Sequence, residues 1–184
     1  DVFKPMEESE ILKAREASFK NSDEDTLLFF WNSRNARRKQ PGAIVWWFKE
    51  FLERTGKTND NGKLKAQLLM HTNPKDPNGP DLEAIVKELG LTNGEVLFST
   101  ATASQEQLNL MYNMSDVTLS ASDAEGFGLS TLESLACGTP IIVPRTGGLQ
   151  DQARDKNMEF GVVIEPAAKY IIGSQEVPFI YEDT

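Results

Sequence analysis

The 184-residue sequence contains one cysteine, one histidine and no long apolar run. The single Cys137 excludes an intramolecular disulfide and any metal site built from several cysteines, and we expect it to be a small buried residue. His71 has no second histidine or cysteine with which to share a metal ion. No apolar segment approaches the length of a membrane span, and the charged start DVFKPMEESE is not a signal peptide. These absences are compatible with a reducing, cytoplasmic setting.

Positive charge is also scarce. There are 19 Lys and Arg residues against 28 Asp and Glu residues, which gives a formal net charge of −9. This charge disfavours non-specific binding to nucleic acid and to anionic membranes, and no nucleic-acid partner is expected. An anionic ligand would need a local basic cluster, and one exists in the run RNARRK at residues 34–39.

The pattern of apolar residues predicts an α/β fold. Near-continuous apolar runs, as expected of strands buried on both faces, occur at residues 26–31, 65–71, 95–100, 116–120, 139–144 and 160–165. Amphipathic helical patterns lie between them; one begins at Asp81 and ends at Gly90. This alternation predicts a Rossmann-like, doubly wound, mainly parallel sheet of about six strands flanked by helices.

The predicted organisation is a single domain over residues 1–184. Residues 1–24 form a lead-in, residues 25–165 the core, and residues 166–184 a tail whose placement the pattern does not predict. The sequence does not begin with methionine, which suggests a fragment of a longer protein.

The stretch SDAEGFGLSTLESLACGTPIIV, residues 122–143, combines a strand end, a glycine turn and a helix start. Gly126 and Gly128 allow close approach of a ligand to the backbone, and the N–H groups of the helix start attract phosphate. Ser130 and Glu133 have the spacing of a capping box, so helix capping alone could explain Glu133. Glu125 is harder to explain without a ligand, because an acid beside a phosphate site is suited to accept hydrogen bonds from hydroxyl groups.

The basic cluster follows the first predicted strand, so it lies at the same edge of the sheet as the glycine turn. A solvated basic loop is the usual meaning of such a run. In an acidic protein, Arg and Lys residues beyond the carboxyl end of a strand favour a phosphate clamp instead. Asp23 and Asp25 could form a metal pair, but they precede the first strand and are expected in a solvated loop. The run at residues 76–81 lacks the regular spacing of a calcium loop, so no metal site is predicted.

The stretch SDAEGFGLSTLESLACGTPIIVPRTGGLQD resembles the donor-binding segment of retaining glycosyltransferases of the GT-B type, the group of glycogen and sucrose synthases and of many bacterial lipopolysaccharide and capsule transferases. Glu125 and Glu133 match that group's E-x7-E motif. DVFKP is similar to the linker that opens the C-terminal domain, and Arg34 and Lys39 have the spacing of the phosphate-binding pair. Ser33 and Gln40 stand where these enzymes often have glycine. The resemblance covers most of residues 1–165.

The resemblance implies a role for each matched residue. Glu133 would hold the ribose of a UDP-, GDP- or ADP-sugar, Glu125 the hydroxyls of the transferred hexose, and Arg34 and Lys39 the departing diphosphate. The implied catalytic residues are therefore Glu125, Arg34 and Lys39. The implied donor-binding residues are Glu133, Gly126, Phe127, Gly128, Leu129, Ser130 and, beside the base, Thr102 and Ala103. The resemblance implies neither a metal nor another cofactor.

The resemblance also implies a partner for this domain. In enzymes of the group, the reaction takes place in a cleft between two Rossmann-like halves. The N-terminal, acceptor-binding half is absent from this sequence. The chain is thus expected to be inactive alone. Two alternatives remain: half of a GT-B-like sugar-nucleotide epimerase, which the E-x7-E spacing disfavours, and a nucleotide-sugar-binding domain without turnover.

Overall fold

The computed structural model describes residues 2–155, 158–173 and 178–183. Its strands are β1 (Leu27–Asn32), β2 (Ala66–His71), β3 (Val96–Ser99), β4 (Val117–Leu119), β5 (Ile141–Pro144), β6 (Arg154–Asp155), β7 (Met158–Glu159), β8 (Gly161–Ile164), β9 (Ala168–Gly173) and β10 (Pro178–Asp183). Six of them form one parallel sheet in the order β3-β2-β1-β4-β5-β8. These six lie at the six predicted positions, and the predicted fold class is confirmed.

Within the described residues, six α-helices accompany the sheet: α1 (Glu8–Ser18), α2 (Pro41–Thr55), α3 (Leu82–Glu88), α4 (Gln105–Asn113), α5 (Leu129–Ala136) and α6 (Leu149–Gln152). A short 3-10 turn spans Arg37–Lys39 and leads into α2. Helix α3 begins as predicted, because the Asp81 side chain accepts a hydrogen bond from the Ala84 N–H at 3.0 Å.

Both faces of the sheet are covered, which explains the near-continuous apolar runs. On β1, Trp31 packs with the apolar residues of α2 and α3 on one face. Leu28 and Phe30 alternate to the opposite face, where they pack with residues of α1 and α4. Cys137 belongs to this second cluster, and burial raises the pKa of its thiol to about 11. It is the buried core residue that the sequence predicts.

Helix α1 lies inside the segment that the sequence predicts to be a lead-in. None of its residues is fully buried, so it carries too weak an amphipathic pattern to be recognised. Polar bonds supplement the partial packing of Ile11 and Ala14: the Arg15 guanidinium pairs with Asp116 at 3.2 Å and donates to the Thr26 carbonyl at 2.6 Å. Such contacts between distant residues leave no local sequence signal.

The predicted tail contains β9 and β10, which form an antiparallel pair separate from the main sheet. Residues 174–177 and 184 of this tail lie outside the described residues. In the described part of the chain, no helix combines the length and the apolar character that crossing a bilayer requires.

The strand order reverses between β1 and β4. From β1 the chain continues outward through β2 and β3, and from β4 it continues outward in the other direction through β5 and β8. The segments that follow β1 and β4 therefore diverge at the carboxyl edge and leave a crevice between them, which is where ligands bind in sheets of this kind.

Candidate functional site

The glycine turn and the basic cluster meet at this crevice. Residues 33–40 follow β1 and residues 120–128 follow β4, so the two predicted site segments face each other across the reversal of strand order. Backbone bonds tie them together: the Asp123 N–H donates to the Arg38 carbonyl at 3.0 Å. The shared edge predicted from the sequence is thus found in the structure.

Helix α5 starts immediately after the glycine turn. Gly128 is its N-cap residue and has a left-handed backbone with φ of +84°. A side chain at Gly128 would also collide with Leu149 and Thr131, since a Cβ atom built there lies 2.5 Å and 2.7 Å from their atoms. Glycine is therefore required here, and the free N–H groups of the first turn of α5 open onto the crevice.

The capping box predicted for Ser130 and Glu133 is wrong. Because Gly128 is the N-cap, Ser130 already lies inside the helix and Glu133 lies beyond the first turn, where it cannot reach back to the N-cap N–H. Glu133 instead accepts a hydrogen bond from the buried Tyr112 hydroxyl at 2.9 Å. Helix capping is thus removed as an explanation of Glu133.

The structure brings Lys39 and Glu125 into direct contact. The Lys39 ammonium pairs with the Glu125 carboxylate, and both side chains are largely buried, with 16% and 18% of their surface exposed. Arg38 joins them: its guanidinium donates to the Ala124 carbonyl at 3.1 Å and lies 3.7 Å from the same carboxylate. Arg38 was not singled out from the sequence, although it belongs to the basic cluster.

Arg34 does not join this group. Its exposed guanidinium binds Asp76, in the loop between β2 and α3, at 2.8 Å and 3.3 Å. The hydrogen bond from Arg34 holds the pKa of Asp76 well below its usual range, assisted by bonds from Asn78. The pairing of Arg34 with Asp76 was not predicted from the sequence, because the two residues are 42 positions apart along the chain.

Two adjacent cavities share the Glu125 side chain. One, of about 430 Å³, is lined by Asn32, Ser33, Lys39, Glu125, Phe127, Gly128, Leu129 and Ser130. The other, of about 690 Å³, is lined by Arg38, Asp123, Ala124, Glu125, Gly126, Thr146 and Gly147. Together they contain most of the predicted site residues and lie at the expected edge of the sheet.

Four predicted residues, Arg34 and the three that follow, are not among the lining residues of either cavity. Thr102 and Ala103 are in the segment between β3 and α4, at the same edge. Glu133 is half-buried on α5, behind the helix start. In the described residues, no cluster of three or more His, Cys, Asp and Glu side chains could hold a metal ion.

The turn after β5 supports the glycine turn from behind. Its glycines pack directly on the backbone of residues 125–127: a Cβ atom at Gly147 would lie 1.8 Å from the Glu125 carbonyl oxygen. A Cβ atom at Gly148 would lie 2.7 Å from the Gly126 carbonyl oxygen. The Thr146 hydroxyl adds a hydrogen bond to the Asp123 carbonyl at 3.1 Å. The sequence TGG thus fixes the position of Glu125.

Gln40 occupies a left-handed backbone conformation, with φ of 49° and ψ of 42°. This conformation explains why glycine suits the position, since a side chain there carries a steric cost. Gln40 offsets the cost through its amide, which donates to both carboxylate oxygens of the buried Asp123 at 2.9 Å and 3.0 Å. Ser33 has no positive φ, so its backbone conformation is open to any residue.

We expect Gln40→Ala and Gln40→Gly to destabilise the protein to different degrees. Both remove the bonds to Asp123, worth about 1.5–3 kcal/mol because the acceptor is charged. Gly also relieves the left-handed strain, by about 1 kcal/mol. Urea denaturation should therefore rank stability as wild type, then Gly, then Ala. A Gly variant more stable than the wild type would contradict the role given to the amide.

The fold and the site together define a Rossmann-like α/β domain whose switch point holds a crevice lined by Lys39, Arg38 and Glu125. The family model "Glycosyl transferases group 1" matches residues 76–172, more than half of the chain. The chain belongs to this family.

The D-inositol 3-phosphate glycosyltransferase of Acidothermus cellulolyticus is 37% identical over 84 residues, which are 46% of this chain and 18% of that protein. Sucrose-phosphate synthase from Thermosynechococcus elongatus superposes with a TM-score of 0.68 at 26% identity. The match covers 91% of this chain and 37% of the synthase chain. Anabaena HepE, in complex with UDP and glucose, gives a TM-score of 0.69 at 17% identity over 90% of this chain and 41% of its own. The chain thus spans well under half of these proteins, and its fold is that of one half of a GT-B enzyme.

Proposed function

We propose that the crevice between residues 33–40 and 122–133 binds a nucleoside-diphosphate sugar. The whole protein would transfer the hexose of this donor to an acceptor with retention of configuration. The observation that carries the proposal is the meeting of Lys39 and Glu125 at the switch point, beside the glycine turn and the start of α5. The complex of Anabaena HepE with UDP and glucose supports a donor of this class.

The chemistry of the crevice suits a diphosphate leaving group. During transfer the bond between the sugar C1 and the phosphate oxygen breaks, and the diphosphate departs with the bonding electrons. Lys39 and Arg38 supply positive charge, and the first-turn N–H groups of α5 supply hydrogen-bond donors and the positive end of the helix dipole. We propose that these groups stabilise the leaving diphosphate without a metal ion.

Each glutamate then has a distinct task. Glu125 lines both cavities, and its carboxylate is suited to accept hydrogen bonds from the hydroxyls of the sugar. Glu133 would hold the ribose, and the segment at Thr102 and Ala103 would contact the base. Arg34 binds Asp76 and lines neither cavity, whereas Lys39 lines the cavity at the glycine turn, so we assign Arg34 the smaller contribution.

Transfer itself would require an N-terminal half that supplies the acceptor site. We therefore propose that this chain alone binds the donor and transfers nothing. Cytoplasmic location remains a prediction from the single cysteine. The epimerase and the binding domain without turnover remain alternatives, and acceptor turnover by a longer form of the protein distinguishes them from a transferase.

Glu125→Ala separates recognition of the sugar from recognition of the diphosphate. Calorimetry with UDP, GDP and ADP, and with their glucose or mannose conjugates, first identifies the bound nucleotide. The variant should then bind the nucleotide sugar about tenfold or more weakly, as expected for loss of hydrogen bonds to a charged group. It should bind the free diphosphate at least as tightly as the wild type, because Lys39 loses its competing carboxylate.

The matched control is Glu53→Ala, which removes the same charge from an exposed i,i+4 pair on α2 and should leave both affinities unchanged. Equal weakening of both ligands by Glu125→Ala would place Glu125 away from the sugar. Absence of binding to every nucleotide would contradict the donor site as a whole.

The same titrations in excess EDTA should be unchanged, and a loss of binding that Mg²⁺ or Mn²⁺ restores would contradict the metal-free proposal.

A further inference from the structure

Tyr112 connects the core of the protein to Glu133. It lies near the end of α4 with 0% of its surface exposed, and its ring makes edge contacts with Phe30 and Phe3 at centroid distances of 5.1 Å and 6.0 Å. A buried phenol hydroxyl needs hydrogen-bond partners. It has two: it accepts from the Asn32 side-chain amide at 2.9 Å and donates to the Glu133 carboxylate at 2.9 Å.

The direction of these bonds follows from the groups involved. The Asn32 amide nitrogen can only donate, so it occupies an acceptor position of the Tyr112 oxygen. The hydroxyl proton is then left for Glu133, whose carboxylate is an acceptor. Burial, and to a smaller extent the charge and hydrogen bond of Glu133, raises the pKa of Tyr112 far above its usual range, against the lowering effect of the bond from Asn32. The hydroxyl therefore keeps its proton.

The chain of bonds ends at the candidate site on both sides. Asn32 is the last residue of β1 and lines the 430 Å³ cavity together with Lys39 and Glu125. Glu133 lies on α5, the helix that starts at the same cavity. A glutamate side chain loses considerable rotamer freedom when a ligand orders it. A hydrogen bond from a rigid, buried tyrosine removes part of that freedom before the ligand binds.

We propose that Tyr112 is a positioning residue that holds the Glu133 carboxylate for recognition of the ribose hydroxyls of the donor nucleotide. This proposal rests on the proposed function, in which Glu133 contacts the ribose. It adds a specificity-determining residue that touches no ligand and that no local motif contains.

The test compares a ribonucleotide with an analogue that has no ribose hydroxyls. The probes are the nucleoside diphosphate that binds the wild type most tightly among UDP, GDP and ADP, and its 2′,3′-dideoxy counterpart. Tyr112→Phe keeps the ring and removes only the hydroxyl. We expect it to weaken the ribonucleotide about fivefold, the effect of a single hydrogen bond. The dideoxy analogue should bind with unchanged affinity, so the preference for ribose falls.

Glu133→Gln separates failure of this proposal from failure of the proposed function. If it leaves the preference for ribose unchanged, Glu133 does not contact the ribose, and both its role and that of Tyr112 are overturned. If it lowers the preference while Tyr112→Phe does not, only the role of Tyr112 is overturned. If Tyr112 has only a structural role, Tyr112→Phe should lower the melting temperature and leave the preference for ribose unchanged. That outcome also overturns the role of Tyr112.

The double variant completes the test. With both changes, the preference for ribose should fall no further than with Glu133→Gln alone, because Tyr112 acts through that carboxylate. A further, additive loss would overturn the proposal. If Tyr112→Phe does not fold, Asn32→Ala removes the amide that anchors the Tyr112 oxygen. The preference for ribose should again fall, and an unchanged preference would overturn the proposal.

Discussion

Gly147→Ala is expected to destabilise the protein and to remove most of its affinity for nucleotides. The added Cβ atom would lie 1.8 Å from the Glu125 carbonyl oxygen, so the backbone of the glycine turn has to move. The residue also has a φ of +47°, which a side chain disfavours. We expect a loss of about 2 kcal/mol or more in the free energy of unfolding, measured by urea denaturation. Nucleotide affinity, measured by calorimetry, should fall at least tenfold because Glu125 and the start of α5 shift together.

Gly62→Ala is the matched control for this variant. Gly62 also has a positive φ, of +73°, but a Cβ atom there would meet no atom within 4 Å. It should therefore lose about 1 kcal/mol of stability through backbone strain and keep its full nucleotide affinity. Wild-type affinity in Gly147→Ala would show that the turn after β5 does not position the site.

Lys39→Ala is expected to give the largest loss of affinity among the charge variants. Lys39 is the most buried cation of the basic cluster for which an ion pair is described, and it lies at the glycine turn. A well-made charge-assisted hydrogen bond to phosphate contributes about 1.5–3 kcal/mol, or roughly a 10- to 150-fold change in dissociation constant. The free diphosphate and the nucleotide sugar should weaken alike, because both contain the phosphates.

Two further variants complete this comparison. Arg34→Ala should also weaken both ligands but by less, because its exposed guanidinium lines neither cavity of the candidate site. Lys87→Ala removes the same charge from an exposed position in the last turn of α3 and should change neither affinity. If Lys39→Ala binds both ligands as the wild type does, the cation at the glycine turn has no part in binding phosphate.

The sheet was predictable because its strands carry a local signal. Strands buried on both faces read as continuous apolar runs, and short strand–helix spacings leave little choice of topology. The edge at which the basic cluster and the glycine turn meet followed from that topology alone. Contacts between distant residues were not predictable in this way: neither the pairing of Arg34 with Asp76 nor the bond from Tyr112 to Glu133 has a spacing that marks it.

The errors have equally specific causes. Ser130 and Glu133 satisfy the pattern of a capping box, but the left-handed backbone of Gly128 starts the helix earlier than a serine cap would. Helix α1 was missed because its attachment depends on Arg15 and on the asparagine side chains of α4, which accept hydrogen bonds from the Lys4 and Met6 N–H groups at 2.9 Å. Polar attachment of this kind does not produce the apolar period from which helices are recognised.

The most direct test of the proposed site is amide chemical-shift mapping on the ¹⁵N-labelled protein during titration with UDP, GDP and ADP. If the diphosphate binds between the glycine turn and the start of α5, the tightest ligand should produce its largest shifts at the amides of residues 126–131, with smaller shifts at residues 33–40. Shifts concentrated elsewhere would contradict the account, for example at Phe160 and Val162, which line another cavity, of about 860 Å³, on β8 and its lead-in. The absence of shifts with all three nucleotides would contradict it as well.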